Sequence, residues 1–127
     1  MDGRIFIWSI EKKYHIKVLD EHTKFVQGIT TDPSFEHIIS CSNDRTVKVW
    51  KAIKSKKCET GFYCYKSLKK YNSKKEEAGI SSQESNEKKN FFHIFGDENI
   101  PSFFRRPGVS PDGNLIVLPT GQWPKSK

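Results

Sequence analysis

An all-β fold built by repetition is what this sequence predicts, and three observations predict it. Asp2-Gly-Arg-Ile-Phe-Ile-Trp8 returns as Asp44-Arg-Thr-Val-Lys-Val-Trp50, an Asp, five residues and a Trp, displaced by 42 positions. Between the Asp and the Trp, apolar residues fall on alternate positions (Ile5 and Ile7, then Val47 and Val49), the period of a strand with one buried face. A second self-similarity relates the stretch from Phe25 to that from Phe103: Pro33 aligns with Pro111, and Ile38-Ile39 with Ile116-Val117. Two strands and a turn are therefore expected twice. In the second copy Asp112-Gly113 is the turn chemistry, because glycine accepts a positive φ without a Cβ clash.

The elements follow in order. Residues 1–10 read as the end of one repeat, entered in mid-strand and closed by Asp2 and Trp8. Residues 11–65 read as a nearly complete unit: His15 to Leu19 as an outer strand, then a loop, then three strands around the turns at Pro33 and Asp44, then a last strand after Trp50. Residues 66–90 hold seven Lys, four Glu and five Ser with little to bury, so ordering them is not offset and a disordered insertion is expected. Such a lysine-rich run is either a solvated loop or a contact for phosphate or an import receptor. Residues 91–127 regain apolar content and begin a further unit; Trp123, two residues after Gly121 and directly before Pro124, is not its closing Trp.

A period of about 40–45 residues made of short strands and closed by a Trp resembles the WD-repeat blade. The resemblance implies a partial WD-repeat β-propeller, a fragment of a ring of about seven blades that needs roughly 290 residues. It also implies a structural tetrad at His22, Ser40, Asp44 and Trp50, in which the Asp bonds the His, the His bonds the Ser and the Ser accepts from the Trp indole. Buried together, these groups satisfy one another. Glu21-His22 stands where the family usually has Gly-His. The same residue types could suggest a Ser-His-Asp nucleophile, but no glycine-rich elbow surrounds Ser40, so no catalytic residue is expected.

The stretch Ser102-Phe-Phe-Arg-Arg-Pro-Gly-Val109, leading into Leu118-Pro-Thr-Gly121, is more particular. Taken in order with the segments from Glu21 and Ser40 and the charged insertion, it resembles the middle, WD-repeat subunit of chromatin assembly factor 1, and in part the related histone-regulation chaperones. Pro107-Gly108 departs from that pattern; proline removes a ladder donor and points to a bulge or an edge. Strand alternation places one of Phe103 and Phe104 in the core between blades, and brings Arg105 or Arg106 to the rim, where an arginine can fork onto a partner's oxygen atoms. Phe103, Phe104, Arg105 and Arg106 are therefore the candidate partner-binding residues.

The resemblance implies a non-enzymatic nuclear subunit of a histone chaperone that works with the other assembly-factor subunits and with histones three and four, directly or through those subunits. Its contact with DNA is indirect, and it acts in replication and repair. A replication-independent histone chaperone, or a general scaffold such as a ubiquitin-ligase adaptor, would keep the same fold. Composition bounds the choice. A net charge of +7 suits an acidic partner, and fits the holding of larger subunits better than direct contact with basic histones. Three cysteines (Cys41, Cys58 and Cys64) without CxxC spacing, and single histidines at 15, 37 and 93, indicate neither a disulfide framework nor a metal site. No cofactor, small-molecule substrate or membrane span is expected, since no apolar run approaches 18 residues.

Overall fold

The computed structural model describes residues 2–53, 61–72, 91–97 and 99–122. Its centre is a four-stranded antiparallel meander: β3 (Val26–Thr31), β4 (His37–Ser42), β5 (Val47–Ile53) and β6 (Gly61–Leu68), hydrogen-bonded in that order. Before it, β1 (Ile5–Trp8) and β2 (His15–Leu19) form a hairpin; after it come β7 (Lys70–Asn72) with β8 (Phe91–His93), and β9 (Gly108–Val109) with β10 (Ile116–Val117). No helix occurs among the described residues. This is the all-β, partial propeller arrangement that the repeat predicts.

The repeats share detail beyond residue type. The β1–β2 ladder pairs Ile5 with Leu19 and is irregular between Ile7 and Trp8; the β5–β6 ladder pairs Val47 with Leu68 and is irregular between Val49 and Trp50. The same bulge thus precedes each closing tryptophan. In the other self-similarity, Thr31 pairs with Ile38 and Thr30 with Ile39, while Val109 pairs with Ile116 and Gly108 with Val117. The connecting turns match as well: Asp32 N–H donates to His37 O and Phe35 N–H to Asp32 O, while Ser110 N–H donates to Leu115 O and Gly113 N–H to Ser110 O. Phe35 (φ 55°) and Gly113 (φ 75°) occupy the same left-handed position.

The central sheet is apolar on both faces because a sheet packs against each. One cluster joins Ile5 and Leu19 of the first hairpin to Ile38, Trp50 and Phe62. The other joins Ile39, Cys41 and Val47 to Phe95, with Val109 and Leu118 packed against it. Alternation assigns each residue its face, and stacked sheets bury both. Trp50 is 2% exposed whereas Trp8, its repeat equivalent, is 60% exposed. The difference is the neighbour: β1–β2 covers Trp50, and no described sheet covers Trp8.

Two sequence expectations change here. The boundary placed at 65/66 moves, since β6 runs to Leu68 and Lys70–Asn72 pairs with Phe91–His93, so the first residues of the expected insertion are strand. Residues 73–90 themselves, with Cys58 and Trp123, lie outside the described residues. The outer strand at His15–Leu19 pairs with β1 and so belongs to the preceding sheet, not to the central one. Pro107 lies outside the strands, and β9 starts directly after it at Gly108.

Candidate functional site

The β4–β5 connection is a tight turn in which Ser42 N–H donates to Thr46 O and Arg45 takes a left-handed φ of 64°. The turn aims Asp44 back towards the loop before β3, where its Oδ2 lies 2.9 Å from His22 Nδ1 and accepts from Thr23 N–H at 3.1 Å. His22 Nε2 lies 2.8 Å from Ser40 Oγ on β4, and Trp50 Nε1 on β5 donates to the same oxygen at 2.8 Å. The register puts Ile38 opposite Trp50 and Lys48 opposite Ser40, so the indole reaches Ser40 diagonally across the ladder.

Donor accounting fixes the roles. The indole can only donate, so Ser40 Oγ accepts from it and turns its own proton to His22 Nε2; His22 then carries its proton on Nδ1, facing the Asp44 carboxylate. Each of the four side chains thus has a partner. Thr46, which the sequence reading did not single out, belongs with them too: its Oγ1 donates to Asp44 Oδ1 at 2.6 Å and lies 3.2 Å from His22 Nδ1. Burial alone would raise the Asp44 carboxyl, but the hydrogen bonds from His22, Thr46 and Thr23 outweigh it and hold the group well below the usual carboxylate range. Ser40 is fully buried, so no substrate reaches its hydroxyl. The geometry is that of a structural lock.

Glu21, the departure beside His22, is also used: its Oε2 accepts from Lys48 Nζ at 3.1 Å, which compensates a lysine that is 9% exposed. A lysine on the buried side of β5 is the sequence signal that could have found this pair. The proposed closure at Asp2 and Trp8 has no such company among the described residues. Asp2 turns onto Arg4, accepting from its Nε at 2.7 Å, and Trp8 meets His15 edge-on at 5.6 Å.

The Phe-Phe-Arg-Arg stretch behaves differently from its expectation. Residues 102–107 are not a strand, so alternation does not govern them, and both Phe103 (45%) and Phe104 (61%) are exposed. Neither fills the core between sheets; Phe103 stacks on Phe25 and Phe104 carries the Arg106 guanidinium over its ring. Arg105 is the buried member, at 2% exposure. Its Nη1 donates to Gly96 O at 2.7 Å and its Nη2 to Asp97 O, while Arg45 Nε donates to Phe95 O at 3.1 Å. Two arginines thus clasp three successive carbonyls. Arg105 is consumed inside the fold and is not available to a partner, which corrects its place among the candidate contacts; Arg106 remains exposed. Cys41 beside it has its thiol pushed up to about 11 by burial, against the opposing pull of the Arg105 charge.

Among the described residues no group of three His, Cys, Asp or Glu could hold a metal ion, and no helix is long and apolar enough to cross a membrane.

Comparison with known proteins agrees with this geometry. The WD domain, G-beta repeat family matches residues 13–51, a span that contains all four tetrad residues. A chromatin assembly factor 1 subunit of Mus musculus is 31% identical over 95% of this chain and 18% of its own length. The chromatin assembly factor 1 subunit FAS2 homolog of Oryza sativa subsp. japonica is 34% identical over 95% of this chain and 23% of its own length. Residues 13–51 thus carry a WD repeat, and the chain is similar to these chromatin assembly factor 1 subunits along most of its length. Protein HIR1 of Candida albicans is also similar, 29% identical over 94% of this chain and 11% of that protein. The chain spans about a fifth of the length of the assembly-factor relatives it matches. The family match covers the tetrad but neither Asp2 and Trp8 nor residues 103–106.

Proposed function

We propose that this chain is part of a non-enzymatic, nuclear WD-repeat subunit of a histone chaperone. In this reading it scaffolds the other chromatin assembly subunits in depositing newly made histones three and four during DNA replication and repair. The observation that carries it is the similarity to relatives named for chromatin assembly factor 1, which runs along 95% of the chain and so includes the Phe-Phe-Arg-Arg stretch as well as the repeat. The work is binding, with no cofactor or small-molecule substrate, and DNA is reached through the histones. A rigid sheet array carrying many loops suits such a role. Four proposed structural residues (His22, Ser40, Asp44 and Trp50) hold the array, and Phe103, Phe104 and Arg106 are the surface we assign to partners. The similarity to HIR1 supports a second reading, a replication-independent chaperone on the same fold.

Affinity capture of the intact protein from nuclear extract, with identification of all retained chains, tests this. Co-recovery of the other assembly-factor subunits with histones three and four is expected. Recovery of histone-regulation subunits in their place selects the second reading, and recovery of ligase or signalling partners without histones overturns both.

A further inference from the structure

Besides the complete central sheet, the chain carries two complementary halves of another. By the repeat, β1 and β2 correspond to β5 and β6, while β9 and β10 correspond to β3 and β4. In the central sheet β4 pairs with β5, but among the described residues no strand pairs with the second edge of β10 or of β1. Phe95 bridges only to Gly121, beyond the end of β10. The two halves cannot meet within one chain, because β1–β2 packs on one face of the central sheet and the segment carrying β9–β10 on the other. Their exposures record the consequence. Ile38, Ile39 and Trp50 are 8%, 1% and 2% exposed, whereas their equivalents Ile116, Val117 and Trp8 are 43%, 70% and 60% exposed.

A cavity of about 260 Å³ lies between the central sheet and β9–β10, with Ile39, Val49, Tyr65, Lys66, Val109 and Ile116 in its wall. Trp50 packs with Ile38 and Ile7. The equivalents of those two, Ile116 and Val49, both line the cavity, so a tryptophan in the corresponding place enters it. We propose that the free edge of β10 takes β1 of a second copy of this chain, so that β9–β10 of one copy and β1–β2 of the next complete a four-stranded sheet. The register carries over: Ile38 faces Trp50 and Ile39 faces Val49, which sets Ile116 opposite Trp8, and Val117 opposite Ile7, of the second copy. Trp8 then fills the cavity. His15, which meets Trp8 edge-on, comes with it as its ladder partner, as Cys64 is the partner of Trp50. Leu118 stands where β4 has Ser40, so the joint offers the indole no such acceptor and is held by strand pairing and apolar burial. A net charge of +7 on each copy opposes association and is screened at physiological salt. The two joined patches differ, so copies add head to tail and association does not stop at two. The inference rests on the repeat and is independent of the chaperone assignment.

The test is sedimentation of the 127-residue chain at about 0.15 M salt. Its weight-average mass is expected to rise from 14.7 kDa at about 1 µM to multiples of that value at about 100 µM. Two variants block one end each, at exposed residues whose replacement spares the core. Trp8→Lys brings a charge to the cavity, and Val117→Lys brings one against the central sheet of the added copy. Each variant alone, with an unchanged circular dichroism spectrum, is expected to associate at least about tenfold more weakly. An equimolar mixture of the two is expected to form a pair of about twice the single mass and nothing larger, because only the β10 edge of Trp8→Lys and the β1 edge of Val117→Lys remain free. An unaltered chain that stays at 14.7 kDa overturns the proposal. So does association that persists in both variants, or a mixture that stays at the single mass.

Discussion

Asp44 does more than any other single side chain to hold the β4–β5 turn to the rest of the sheet, because its two oxygens take His22, Thr23, and Thr46 by side chain and backbone. Replacing it by Asn keeps the shape, removes the charge and presents a donor where His22 also donates. Asp44→Asn is expected to cost about 1.5–3 kcal/mol, read as a lower urea midpoint with unchanged slope. The carboxyl also sets an acid limit. Asp44 is held far below its ordinary value of 3.8, and Asp32 is lowered to about 2, where burial is outweighed by bonds from Ser34 and His37. Because both folded values lie below the unfolded one, their stabilisation is complete above about pH 5 and is lost as the pH falls. The melting temperature of the intact protein should therefore drop between pH 5 and pH 2, and drop less steeply in Asp44→Asn.

At the scale of elements, the approach of β3 to the 103–106 segment depends on a missing side chain. A Cβ on Gly28 would stand 2.0 Å from Arg105 O, so Gly28→Ala must push the two segments apart at the β3 bulge. A loss of about 2–4 kcal/mol is expected by chemical denaturation, with the Gln27 to Phe103 bond the first to go. The matched turns offer the opposite change. Phe35 is 75% exposed in the left-handed conformation that Gly113 fills in the other copy. Phe35→Gly removes the Cβ clash and loses little packing, so a gain of about 0.5–1 kcal/mol is expected, measurable as a higher melting temperature.

At the scale of the whole molecule, the sheets are joined less by ladders than by side chains that cross between them. Arg105 is the clearest case, tying the segment after the insertion to the start of the next strand pair through Gly96 O and Asp97 O. Arg105→Met leaves those carbonyls unpaired and is expected to destabilise by about 2–4 kcal/mol, whereas Arg106→Ala, at an exposed position, should change stability by less than about 0.5 kcal/mol. If the capture experiment is repeated with both, a partner loss confined to Arg106→Ala marks a surface contact. Loss in Arg105→Met accompanied by lowered stability marks the clasp.

The repeat was legible because it rests on local rules: a strand alternates with period two, and a turn needs a left-handed residue. Hence Asp44 to Trp50, Ile38-Ile39 and the Asp112-Gly113 turn could be read directly from residue order. Three features could not: the inward path of Arg105, the pairing of Lys70–Asn72 with Phe91–His93 across a long insertion, and the exposure of Phe103 and Phe104. In each, the outcome depends on what lies opposite. A side chain's alternation is set by its own strand, but its burial and its hydrogen-bond partner are set by a neighbouring segment far away in sequence. The residues alone thus determined the kind of unit this chain builds; only the packing of one sheet on the next decided which tryptophan is covered and which arginine is spent inside.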